Sequence, residues 1–246
     1  MPAPRPVPYD DVRAALDAQW DLLVGAFVDA DPAQPSRCAG WTGRDLHAHL
    51  TSITSGLARV AGSRAPEPPP TGIDAWAQAL PSLATVIDED ARSGQADLAG
   101  AVASARAALE GADPARVVKQ RTGVHRLADA VLFRLVEGVV HGRDLPVPVP
   151  PDKAALKIVV KTLAALLAGR APGRHVELRI PPYAAVQCVA GPAHTRGTPP
   201  NVVEAEPLGF LEVCAGRTGW AEAVAAGLVR TWGDRADLSP WLPLLR

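Results

Sequence analysis

The run PVPVPPD at residues 146–152 places four prolines in seven residues. Each proline fixes φ, removes a backbone donor and disfavours helix in the residue before it. No helix or inner strand can pass through such a run. It reads as a stiff, extended linker that divides the chain into parts 1–150 and 151–246. With 246 residues, each part is long enough to bury a core of its own.

The first part has helical patterning. Val12, Leu16, Trp20, Leu23 and Phe27 recur at spacings of four and three, one face of an amphipathic helix. The loop DADPAQPSRCAGW follows, and Thr42 with Asp45 three residues later marks the next helix start, a capping box with Asp in place of Glu. Leu46, Leu50, Ile53, Leu57 and Val60 form the apolar stripe of that helix. SRAPEPPPTG is a rigid loop, and residues 73–92 and 94–110 are predicted helical, with a break or kink at Pro81. Residues 125–142 are apolar around most of a helical circumference, which makes this the central helix.

Polar residues on a central helix need a reason. Glu137 and His141 share a face, about 40° apart around the axis, and Arg134 joins them. A carboxylate and an imidazole so placed can converge on one cation. A third ligand must come from another helix. His49 lies about 60° from the centre of the Leu46–Val60 stripe and His47 about 100°, so His49 is the inward candidate. Two histidines and a carboxylate suit zinc, with iron or nickel as alternatives, and three protein ligands leave a position open for chemistry. The competing reading is a buried Arg134–Glu137 ion pair around ordinary core histidines.

The second part mixes strands and helices. Residues 153–168 read as a helix. HVELRI (175–180) and AAVQCVA (184–190) read as strands split by Pro181 and Pro182. VVEAE (202–206) and LVRTW (228–232) are further strands, with helices at 207–215 and 218–226. The expected class is therefore α+β. The loop GPAHTRGTPPN (191–201) is long for a compact domain and carries His194, Arg196 and Asn201. It is expected to fold over the metal site, with Arg196 in catalysis and His194 and Asn201 as cofactor contacts. Trp220, Trp232 and Trp241 are read as packing residues and His125 as solvated.

Charge narrows the partners. A net charge of -1 with no basic block leaves no electrostatic footprint for nucleic acid or anionic membrane. No long apolar run predicts a membrane span, and the N-terminus lacks a secretory apolar core. The three cysteines, Cys38, Cys188 and Cys214, are odd in number and widely spaced, as expected of reduced thiols in a cytoplasmic protein. The basic residues are dominated by Arg, a bias of GC-rich genomes.

CAGWTGRDLHAHL (38–50) with RLVEGVVHGRDL (134–145) resembles the N-terminal domain of the mycothiol-dependent maleylpyruvate isomerase family, a DinB-like (YfiT-like) group of four-helix metal proteins. The shared features are a Gly-Trp-Thr helix start leading into Asp-Leu-x-x-His-Leu, then Arg-x-x-Glu-x-x-x-His. The resemblance covers residues from about 10 to 150. It implies an all-α four-helix bundle, metal ligands His49, Glu137 and His141, and mycothiol as a thiol cosubstrate of the actinobacterial type. It further implies isomerisation or S-transfer on a small electrophile, with Arg134 orienting Glu137 or binding an anionic group. Residues 152–246 resemble the sterol-carrier-like domain fused to such bundles. The alternative function is a non-enzymatic carrier whose C-terminal domain binds an apolar molecule while the bundle is structural.

Overall fold

The computed structural model describes residues 7–28, 30–63, 70–191 and 201–245. The chain forms two compact units, Pro6–Ala155 and Leu156–Arg246.

The first unit contains α1 (Tyr9–Val28), α2 (Gly43–Ala61), α3 (Ile73–Ser93), α4 (Leu98–Leu109), a hairpin of β1 (Val117–Gln120) and β2 (Gly123–Arg126), and α5 (Leu127–Asp144). It is therefore not all-α. The antiparallel hairpin pairs Val118 with His125 and turns at Arg121 and Thr122. α2 packs against α3, α4 and α5, and α1 packs against α4 and α5.

Local chemistry sets these boundaries. Thr42 Oγ1 accepts from the Asp45 N–H at 3.3 Å, and Asp45 Oδ2 accepts from the Thr42 N–H at 2.9 Å. This reciprocal cap satisfies two donors that the first turn of α2 would otherwise leave orphaned. Leu46, Leu50 and Leu57 then enter the core. In α5, Leu127, Val131, Phe133, Leu135, Val136, Val139 and Val140 are all buried, the nearly all-round burial expected of a central helix. Gly138 and Gly142 let α1 approach closely. A Cβ at Gly138 would meet Gln19 Cγ at 3.4 Å, and one at Gly142 would meet Gln19 Nε2 at 3.3 Å. The fully buried Gln19 donates to Gly138 O at 3.2 Å and accepts from the Asp152 N–H at 3.0 Å.

The expected break at Pro81 is absent: α3 runs unbroken from Ile73 to Ser93 with Pro81 inside it. Pro81 itself is exposed, so its ring crowds no core residue. Buried Trp76 and Ala77 precede it, and buried Ala91 follows on the same element.

The second unit continues α6 (Lys153–Arg170) into a sheet of order β4-β3-β5-β6, where β3 is Val176–Ile180, β4 Ala184–Cys188, β5 Val202–Ala205 and β6 Val229–Trp232. β3 and β5 are parallel and the other pairs antiparallel. Val176, Leu178 and Ile180 alternate inward along β3, and α6 contributes Val159, Val160, Leu163 and Leu167 to the core. α7 (Pro207–Cys214) and α8 (Trp220–Ala225) complete the α+β unit, with a short 3-10 turn at Ser239–Trp241. Trp232 is half exposed, at 51 %, and is not the packing residue expected from its type. It lies on an edge strand whose last three residues all face solvent. No helix is long and apolar enough to cross a membrane among the described residues.

Candidate metal centre

α2 and α5 bring together the polar residues that the sequence singles out. His49 sits two turns into α2, between buried Leu46 and Leu50, and is itself 5 % exposed. Its ring centroid lies 4.9 Å from that of His141, nearly perpendicular, and 5.2 Å from that of Trp41. Burial holds the His49 pKa well below the usual imidazole range, and the positive charge of His141 and Arg134 pushes it the same way. The neutral ring is the form that binds a metal. His47 lies on the flank: its ring stacks on Phe27 at 4.1 Å and its Nε2 accepts from the Leu98 N–H.

Glu137 and Arg134 face each other on α5, with Oε2 2.7 Å from Nη2 and both side chains nearly buried. The ion pair that competes with the metal reading is thus formed. It does not fully satisfy the carboxylate. Burial raises the Glu137 pKa above the usual range, although Arg134 and His141 favour the ionised form. Glu137 Oε2 and Arg134 Nε both lack a well-aligned hydrogen bond among the described residues. Burial outweighs these partners, so the carboxylate would gain from a further cation.

His141 is fixed from its other side. Its Nδ1 lies 2.9 Å from Oδ2 of the fully buried Asp144, which also accepts from the Cys38 thiol at 3.4 Å. Burial alone would lower the His141 pKa. Hydrogen bonding to Asp144 and Cys38 outweighs it and lifts the pKa to about 10. With Nδ1 donating to a carboxylate, Nε2 is the nitrogen that would bind a metal, giving up its proton as it does so.

The grouping differs in one respect from the expected triad. Among the described residues, the His, Cys, Asp and Glu donor atoms within 4.8 Å of one another are those of Cys38, His141 and Asp144. His49, Glu137 and His141 do not reach that spacing together, because Glu137 turns to Arg134 and His141 Nδ1 to Asp144. Sequence reasoning gave Cys38 no part, and Asp144 entered only through the Asp-Leu that follows His141 in the family pattern. The i,i+3 spacing of His141 and Asp144 on an apolar helix was the available signal for one of them. For Cys38 there was none, since it reaches the site from a loop.

The donor set nevertheless fits a divalent ion: a neutral buried imidazole, an under-satisfied carboxylate, and a second imidazole oriented by its own carboxylate. His125, expected in solvent, is completely buried. Its Nδ1 donates to Thr71 O at 2.9 Å, and its ring meets Phe133 edge-on. It anchors the hairpin and takes no part in the site. Asn201 lies in the second unit, where its amide bonds His175 and accepts from the Arg235 N–H. His194 and Arg196 lie outside the described residues.

A cavity of about 430 Å³ opens beside His49 and Glu137. α2 and α3 form its walls, α5 contributes Arg134 and Glu137, and residues Lys119 to Thr122 of the hairpin border it.

Residues 13–146 match the family model of the mycothiol maleylpyruvate isomerase N-terminal domain, more than half of the chain. The chain belongs to this family. Residues 152–244 match the bacterial SCP ortholog model, so the family's N-terminal domain is followed here by a sterol-carrier-type domain. No curated protein is matched by the sequence. Two solved structures share the fold. A crystal structure of mycothiol-dependent maleylpyruvate isomerase superposes with a TM-score of 0.58 at 17 % identity, covering 92 % of this chain and 93 % of that one. A histidine-to-alanine mutant of a mycothiol-dependent maleylpyruvate isomerase gives a TM-score of 0.59 at 16 % identity over the same shares.

Proposed function

We propose that this protein is a metal-dependent enzyme that uses a low-molecular-weight thiol, mycothiol by its family, for isomerisation or S-transfer on a small electrophile. The observation that carries the reading is the meeting of His49 and His141, rings 4.9 Å apart, beside buried Glu137 in a chain of this family. His49, Glu137 and His141 would hold the ion, zinc on ligand type. The packing of α1, α2, α4 and α5 is read as the DinB-like bundle.

Each residue has a physical task. Asp144 keeps the His141 proton on Nδ1. Arg134 positions Glu137 and limits the repulsion between a buried carboxylate and an incoming anion. The apolar walls of the cavity keep water from the reacting groups, which strengthens every charge interaction there. Held by these residues, a divalent cation would lower the pKa of a bound thiol and so supply a thiolate nucleophile at neutral pH.

Protein purified without a histidine tag should contain about one divalent ion per chain by elemental mass spectrometry. It should also consume electrophiles only when mycothiol is supplied. Metal-free protein whose melting temperature is indifferent to chelators would point instead to the carrier reading, which rests on the sterol-carrier-type domain.

A further inference from the structure

The cavity beside the metal centre is a long groove, and its charges do not cancel. Arg44 of α2 donates to Arg92 O and Gly94 O, so the start of α2 lies at the end of α3. The two helices therefore run antiparallel along the groove. His49 and Ile87 mark one end, and Arg59 and Trp76 the other. Ten residues of α2 separate His49 from Arg59, about 15 Å of helix axis. The hairpin runs lengthwise along the same groove. Arg116, just before β1, donates to Ala61 O at the end of α2, and Arg121 at the turn pairs with Asp90 near the end of α3.

The lining includes the apolar Ile53, Leu80, Leu83 and Ile87 beside the polar Ser52, Gln120 and Thr122. Four cations and two carboxylates border the cavity. Arg134 pairs with Glu137 and Arg121 with Asp90. Arg59 and Lys119 have no carboxylate partner among the described residues, and both are exposed at the groove. Trp76, 1 % exposed, has an indole N–H with no acceptor among those residues and lies at the same end as Arg59.

We propose that this groove binds an extended amphiphilic acid. Its hydrocarbon lies along the apolar residues of the groove, and its anionic head is held by Arg59, ten residues of α2 away from His49. On the functional reading above, this molecule is the electrophilic substrate, with its reactive end toward His49 and Glu137. An ion with no apolar body would leave the apolar residues of the groove uncovered, and a neutral chain would leave Arg59 without a counter-ion.

Calorimetric titration of the full chain, metal-loaded and again after chelation, tests this with octanoate, octanamide and acetate. Octanoate should bind saturably in both states, octanamide at least tenfold more weakly, and acetate without saturation over the same range. R59Q should weaken octanoate several-fold. Gly56 lines the groove, and a Cβ added there meets nothing within 4 Å, so Gly56→Leu should fill the space, block octanoate and keep the fold. A second check, far-UV circular dichroism on each variant, confirms folding. Octanoate binding no tighter than acetate overturns the proposal, as does affinity unchanged in folded Gly56→Leu. Binding lost on chelation also overturns it, because the carboxylate would then sit on the metal. Octanoate binding by a protein that never takes up metal would sink the enzymatic reading and leave the groove assignment standing.

Discussion

Each unit buries a histidine beside a polar partner, and the two pairs are built on different terms. In the second unit, the Asn201 amide donates toward His175, and its Oδ1 accepts from the Arg235 N–H at 3.1 Å. That arrangement joins three segments around the sheet. In the first unit, His49 is kept neutral by burial, Glu137 is raised by it, and Glu137 Oε2 lacks an aligned donor although Arg134 is 2.7 Å away. A buried polar group that is satisfied within the fold is architecture. One whose burial is only partly offset within the fold, at the edge of a cavity, marks a place where something else can bind.

The largest test of this contrast removes ligands. His49→Ala or Glu137→Gln should reduce bound metal from about one ion per chain to near zero and abolish thiol-dependent turnover. Asn201→Ala should leave metal content untouched. If Asn201→Ala strips the metal and His49→Ala does not, the assignment of the two pairs is reversed. Asp144→Asn should act next most strongly, weakening metal affinity roughly 10- to 100-fold by releasing the orientation of His141, as titration against a competing chelator would read. The second pair should show itself in stability alone: Asn201→Ala is expected to cost about 1–3 kcal/mol in urea unfolding, from the lost hydrogen bonds of its amide to His175 and to the Arg235 N–H. The smallest effect is expected at Thr42→Ala, about 1 kcal/mol from loss of the α2 cap, with His49 still in place and metal stoichiometry unchanged.

Local chemistry made much of this legible before the structure. The Thr42–Asp45 cap, the apolar circumference of α5 and the strand patterning of residues 175–190 all depend on near neighbours in sequence. The hairpin of β1 and β2 escaped, because its strands are four residues each and mix Lys, Gln and Arg with valine. Its existence depends on His125 finding Thr71 and Phe133, contacts no local pattern announces. The same limit applies within the site. Helical periodicity placed Glu137 and His141 on one face and preferred His49 to His47. It could not show that Cys38 would arrive from a loop, or that Asp144 would take the Nδ1 side of His141.

The Gln19 clip has a consequence for how the first unit can be divided. Its two hydrogen bonds span 119 and 133 residues of chain. The unit is therefore fastened near its beginning to its last helix and to the segment beyond the proline run. A version excised at residue 150 would lack the fastener's second anchor, while one ending after the Asp152 turn would keep it. The useful cut for isolating this unit lies downstream of the prolines and not within them.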